Sequence, residues 1–455
     1  MSHAKFERYD AYKDSGVAWI GKVPELWKEV RIKDIAFLER GKFTHRPRND
    51  PQMYDGIHPF IQTGDVARAI KYITNYKQTL SDKGTEVSKK FAKGSLLMTI
   101  AANIGDVAIV DFDTYFPDSV VGFKPNKISS DYLFYLLSAT KDELNRVKVT
   151  NTQDNLNLER LNSLVKFIPP LLEQQTIVAY LDTKTLQIDR KIDLLCQKAT
   201  QYGKLRQSLI NETVTRGLDK TIEMKNSGVD WMGVVPGHWG RYRCKDLVDY
   251  YNYYPIGDGD HGSIKPEMYV DTGIPYIRVQ NLSWNGEINL DDAAYITEDV
   301  HNLNKKSRLV IDDILIAKTG ATVGKLGLIT VDIKEANTTS SVGKITVNKK
   351  YFNPRFILYT FMAENFQKQI WITASQKSAQ PGFNIDQFIF FTIACPKTKN
   401  EQAAIANYLD EKTAQIDRIV TTINTQIEKL KELRKTLIND VVTGKIKVVK
   451  EGQAA

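Results

Sequence analysis

Apolar residues recur along two stretches of the chain at the interval of a long helix. Leu181, Ile188, Ile192, Leu195, Ala199, Tyr202, Leu205 and Leu209 are separated by sevens or by alternating threes and fours. Leu409, Ile416, Val420, Ile423, Ile427, Leu430, Leu433 and Leu437 repeat the pattern near the end of the chain. Such a stripe, with Lys, Glu, Gln and Asp around the rest of the circumference, marks a helix that buries one seam against another. Neither stretch contains proline, and only Gly203 interrupts the first. Two helices of about 43 residues would each extend about 64 Å at 1.5 Å per residue. That exceeds the width of a small domain, so the pattern predicts a protruding antiparallel pair acting as a rigid spacer.

The remaining sequence is patterned differently. Short apolar runs bounded by Gly, Pro, Asn and Asp, such as Ile57–Ile61, Ser95–Ile100 and Asp313–Ala317, read as strands. Tyr132–Leu137 and Phe356–Phe361 read as short buried helices. Each of the two middles is therefore expected to be an α+β globule. The chain divides into 1–165 and 221–395 as globular domains, with 166–220 and 396–455 as the helical segments that follow them.

Both kinds of segment occur twice. Ser15-Gly16-Val17, Trp19, Gly21, Val23-Pro24 and Trp27 return in register as Ser227-Gly228-Val229, Trp231, Gly233, Val235-Pro236 and Trp239. EQQTIVAYLDTKTLQIDR, from Glu173, returns as EQAAIANYLDEKTAQIDR, from Glu401. The offset climbs from 212 at the first pair to 228 at the last, passing Pro59/Pro275, Tyr135/Tyr359 and Pro169/Pro396 on the way. A steady drift of this kind means one ancestral unit in two copies, the second enlarged by small insertions. The ends of the unit are kept while its middles have diverged.

Composition narrows the function. The 455 residues carry a formal charge of +8, with 62 basic against 54 acidic residues, which favours a polyanionic partner such as DNA. Cys196, Cys244 and Cys395 are far apart, which argues against a disulfide framework or zinc site and fits a reducing cytoplasm. MSHAKFERYD has no signal-peptide core, and no run approaches the roughly 18 apolar residues of a membrane helix. The expected location is cytoplasmic.

No catalytic constellation emerges. Gly320-Ala321-Thr322-Val323-Gly324-Lys325 is one residue short of a phosphate loop and is followed by Leu326 instead of Ser or Thr. Asp258-Gly259-Asp260-His261-Gly262 lacks the further ligands of a calcium or zinc site. None of the six histidines lies in H-E-x-x-H spacing, and no G-x-S-x-G elbow occurs. An N/D-P-P-Y tetrapeptide, expected of an amino-methyltransferase, is also missing.

The duplicated W-x-G-x-V-P-x-x-W and E-Q-x-x-I-x-x-Y-L-D-x-K-T-x-Q-I-D-R segments resemble the specificity subunit of Type I restriction–modification enzymes over nearly the whole length. Pro169–Gln174, Gly273–Arg278, Leu315–Gly324 and Asp258–Gly262 also resemble motifs of that family. The resemblance implies an α+β chain with two globular target recognition domains joined by two long helices in an antiparallel coiled coil, a pseudo-two-fold internal repeat. It implies a non-catalytic subunit that binds double-stranded DNA at a split, asymmetric target. The implied partners are two methyltransferase subunits, which would bind S-adenosylmethionine, and nuclease/translocase subunits, which would use ATP and Mg; no cofactor is expected on this chain. Two other readings stay open: a self-contained nuclease or methyltransferase with an unrecognised site, and a coiled-coil scaffold with no DNA role.

Base readout calls for Arg, Lys, Asn and Gln on loops that reach groove edges. In the first half the candidates are Arg46, Gln62, Thr63, Arg68, Asn103, Gln153 and Asn155. In the second they are Arg278, Gln280, Asn281, Lys318, Thr319, Gln376 and Lys377.

Overall fold

The apolar runs that fail to alternate become strands covered on both faces. In Leu96–Thr99 every side chain is buried, because Leu96 and Met98 point into one core while Leu97 points into another. Ile314–Ala317 repeats this, with Ile314 and Ile316 on one side and Leu315 and Ala317 on the other. Each strand is thus the shared wall between a sheet-to-helix core and a sheet-to-sheet core.

The computed structural model describes residues 8–17, 20–101, 104–146, 158–250, 254–376 and 380–448. It resolves into two compact units. One takes the chain up to Cys196 and again from Thr425; the other is the continuous stretch Gln197–Asn424. In the first, an antiparallel sheet orders its strands 36–40, 120–125, 96–99 and 107–109, and a second sheet orders 78–80, 54–60, 114–115 and 90–91. In the second, the corresponding sheets order 256–258, 342–345, 314–317, 326–328 and 269–270, 294–296, 274–277, 335–338, 308–310. Both second sheets contain one parallel pairing, between Phe60 and Tyr115 and between Ile277 and Thr338. The expected strands and short helices are all present, the latter within Ser130–Arg146 and Pro354–Met362.

The long helices run Leu171–Arg216 and Lys399–Val442. In the first unit Ile177 and Leu181 share a core with Leu437, Ile438 and Val441, while Asp189 pairs with Arg434 at 3.0 Å. As one helix advances the other recedes, so the pair is antiparallel. In the second unit Ile210 and Val214 share a core with Ile405 and Leu409, and Arg206 pairs with Asp417 at 3.2 Å. Along the stripe Leu181, Leu409, Ile416, Ile423 and Leu437 are buried. Ile188, Ile192, Leu195, Leu209, Val420 and Leu430 are half-buried. Leu205 is a correction: it is 53% exposed, as is its repeat mate Leu433. The seven-residue spacing from Leu181 and Thr185 puts Arg206, one residue on, at the seam, and Arg434 stands likewise in the other helix.

Other residues kept in both copies hold each globule to its helices. Trp27 and Trp239 are fully buried, and their indole N–H groups donate to Glu173 (3.2 Å) and Glu401 (2.9 Å). Gln174 and Gln402 donate to the carbonyls of Pro169 and Pro396, both at 2.9 Å. The Tyr135 hydroxyl donates to Asp182 at 2.6 Å and the Tyr359 hydroxyl to Asp410 at 2.8 Å. Gly16, Gly21, Gly228 and Gly233 all have φ between +64° and +73°. Glycine alone enters that region freely, which explains why these positions are retained in both hairpins.

Candidate nucleic-acid interface

In each unit the chain leaves a parallel-paired strand and turns at once into a short helix. Gln62 caps the helix Thr63–Arg68, and Arg278 caps the 3₁₀ turn Val279–Asn281. Three residues after each cap a side-chain oxygen accepts from the cap's backbone N–H: Asp65 from Gln62 at 2.9 Å, Asn281 from Arg278 at 2.8 Å. The N–H of Asp65 or Asn281 in turn donates to the cap's carbonyl at 2.9 Å, so each turn closes on itself. The same local fold therefore presents Gln62 in one unit and Arg278 in the other.

The candidate residues fare unequally. Gln62 donates from its amide to Gln78 at 2.9 Å. Thr63 is half-buried, and Arg68 is exposed with its guanidinium on the buried carboxylate of Asp65. Arg46 is exposed and folds back on the carbonyls of Phe43 and His45, at 3.1 and 2.7 Å. Arg278 reaches the carbonyl of Asp292 with one terminal nitrogen at 2.9 Å. Its Nε is buried with no hydrogen-bond partner among the described residues. Gln280 and Gln376 are exposed, and Thr319 is half-buried beside Gly382.

Two candidates are corrected. Asn281 is 2% exposed, and its amide nitrogen donates to the Asn289 carbonyl at 3.0 Å while its oxygen serves the cap. It is the counterpart of Asp65, and it shapes the turn. Lys318 is 6% exposed and ion-paired with Asp258. Placing an ammonium there requires that partner, so its charge is already neutralised within the chain. Asn103, Gln153, Asn155 and Lys377 lie outside the described residues.

The segment Asp258–Gly262 is a turn whose carboxylates are spent internally. Asp260 accepts from the backbone N–H groups of Gly262 (2.9 Å) and Ile264 (3.0 Å) and from the Tyr276 hydroxyl. Asp258 takes Lys318 and, at 3.1 Å, His261. Gly320–Lys325 joins strands 314–317 and 326–328, with no helix behind it to carry a phosphate. Among the described residues no group of three or more His, Cys, Asp or Glu could hold a metal, and no helix is long and apolar enough to cross a membrane. A cavity of about 700 Å³ in the first unit, lined by Glu143, Lys166 and Asn439 among others, shares no residue with the candidate DNA contacts.

The functional side chains that sequence reasoning missed belong to the frame. The hydrogen bonds of Trp27, Tyr135 and their mates connect residues far apart in sequence, and their only sequence signal was survival in both copies.

A duplicated frame bearing two different donor-rich faces defines a two-headed binding protein. The family described as Type I restriction modification DNA specificity domain matches residues 24–198 and 237–429, one copy in each half. The chain belongs to that family, as a specificity subunit with two target recognition domains. It is 23% identical over 440 residues to the Type I restriction enzyme MjaVIII specificity subunit of Methanocaldococcus jannaschii, covering 94% of each chain. It is 22% identical over 325 residues to the EcoBI specificity subunit of Escherichia coli, covering 70% of this chain and 66% of that one. A solved chain from work on complex assembly and conformational transition of the type I R-M system shares the fold. It superposes with a TM-score of 0.68 at 15% identity, covering 92% of this chain and 98% of its own.

Proposed function

We propose that each unit reads one half of a split, asymmetric double-stranded DNA target, and that the chain itself performs no chemistry. The observation that carries this reading is unequal divergence. Trp27/Trp239, Glu173/Glu401, Tyr135/Tyr359 and Asp182/Asp410 make the same bonds in both units. At the reading turn, by contrast, Gln62 in one unit stands where Arg278 stands in the other. Identical frames suit identical partners, and different faces suit different bases. Two copies of one methyltransferase subunit, binding S-adenosylmethionine, would dock on the two frames. Nuclease/translocase subunits using ATP and Mg would complete the assembly, in the cytoplasm.

Arg278 is suited to a bidentate contact with guanine and Gln62 to one with adenine. The test is base-modification mapping in a host carrying this chain with its methyltransferase, followed by duplex-binding assays of Arg278→Ala and Gln62→Ala. Each variant is expected to lose about 1–3 kcal/mol and to relax a position in a different half-site. A modified target that is single and palindromic, or cleavage or methyl transfer by the purified chain alone, would overturn the reading.

A further inference from the structure

In the first unit one lysine joins the segment after the reading helix to the long helix, and among the described residues the second unit has no equivalent joint. Lys71 lies three residues beyond Arg68, the last residue of the reading helix Thr63–Arg68. Its backbone is stitched to strand Val107–Ile109: the Ile109 N–H donates to the Lys71 carbonyl at 2.8 Å, and the Ile73 N–H to the Ile109 carbonyl at 2.9 Å. Its side chain is 12% exposed and its ammonium meets two carboxylates, Asp182 of the long helix at 2.6 Å and Asp131 at 2.7 Å. The Tyr72 hydroxyl also donates to Asp131, at 2.7 Å, and the ammonium lies 5.5 and 5.1 Å from the ring centres of Tyr72 and Tyr135. A strand, the connecting helix Ser130–Arg146 and the long helix thus converge on one cation, three residues beyond the end of the helix Thr63–Arg68.

The second unit satisfies the same aspartate differently. Tyr359 donates to Asp410 as Tyr135 does to Asp182, with Thr413 and Thr185 beside them at 3.2 and 3.3 Å. The cation there is Arg355. It stands four residues before Tyr359, where the first unit has Asp131 four residues before Tyr135. Arg355 ties the connecting helix Pro354–Met362 to the long helix. The first unit reverses that charge and recruits the cation from the reading module.

We infer that Lys71 is a positioning residue that indexes the first reading face to the long helix, and so sets how strictly the distance between the two half-sites is judged. The inference rests on the split-target reading. Lys71 touches no base in this scheme; it acts through the seat of the helix that carries Gln62 and Arg68. Loss of the joint should leave base preference intact and loosen the tolerance for spacing.

The test uses the full chain with its methyltransferase and duplexes carrying the mapped half-sites at native spacing, one base pair shorter and one longer. The wild type is expected to favour native spacing by about tenfold or more, and Lys71→Met to reduce that preference severalfold with half-site bases unchanged. The double variant Lys71→Met/Asp131→Arg moves the cation to the second unit's arrangement. It should recover the thermal stability lost in Lys71→Met while keeping the relaxed spacing. Wild-type spacing preference in Lys71→Met, or its return in the double variant, overturns the inference, since Lys71 would then serve only to neutralise Asp182. A wild-type target that is not bipartite would instead remove the reading beneath it.

Discussion

Glu173 is the residue on which the first unit's frame turns. It accepts from the Trp27 indole at 3.2 Å and the Tyr9 hydroxyl at 2.5 Å. Replacing it by Ala strands two donors in a poorly hydrated place, at a cost of about 1–3 kcal/mol. Denaturant unfolding should therefore show a lower midpoint for Glu173→Ala, and for Glu401→Ala, which strands Trp239. A second residue-scale consequence concerns Asp313 and Lys344, both almost fully buried and 3.9 Å apart. Burial raises the Asp313 carboxyl above its ordinary value and lowers the Lys344 ammonium, each opposed by the other's charge. A raised carboxyl binds more protons folded than unfolded, so its contribution to stability falls as pH climbs from the ordinary carboxylate value through the raised one. Lys344→Met removes the opposing charge, costs about 3–5 kcal/mol at neutral pH, and pushes Asp313 higher still. The gap between variant and wild type should then narrow on acidification from about pH 7 to about pH 4, as unfolding curves would show. A gap that widened would mean that the carboxyl is not held up by burial.

At the scale of elements, seam and surface positions of the long helices should respond differently to truncation. Leu181 and Leu409 are fully buried, and Leu→Ala there should cost about 2–5 kcal/mol. At Leu205 and Leu433, both 53% exposed, the same change should cost no more than about 0.5 kcal/mol in the isolated chain. The contrast also shows where sequence patterning reaches its limit. Helix existence, length and antiparallel sense were legible, because apolar spacing and repetition report them directly. The turn from Leu205 to Arg206 was not, because an arginine at a seam looks polar until its partner, Asp417, is known. The proposed reading faces were least legible. Asn281 and Lys318 have the chemistry of base contacts, yet one is consumed by a cap and the other by Asp258. Lys71 gave no sign at all, since its partner Asp182 stands 111 residues away. Repetition reveals the residues that hold the fold, whereas the residues proposed to read DNA are those free to differ.

The whole molecule carries its charge surplus into one further expectation. Binding to DNA through phosphate contacts should weaken steeply with salt, and alanine at Arg46, a base-readout candidate, should relax a target position while leaving that slope nearly unchanged. A bandshift series at rising salt, wild type against variant, measures this. The two units also differ in how they are written along the chain. The second is one uninterrupted stretch, Gln197–Asn424, while the first is completed only by residues from Thr425 onward. Leu437, Ile438, Val441 and Val442 line the same core as Trp27, Tyr132 and Leu181. During synthesis the earlier-made globule is therefore expected to keep this apolar wall open until the helix Lys399–Val442 has left the ribosome, and the later-made one to close first. A released chain truncated after Asn424 should yield a protease-resistant second unit beside a first unit that holdase chaperones still grip.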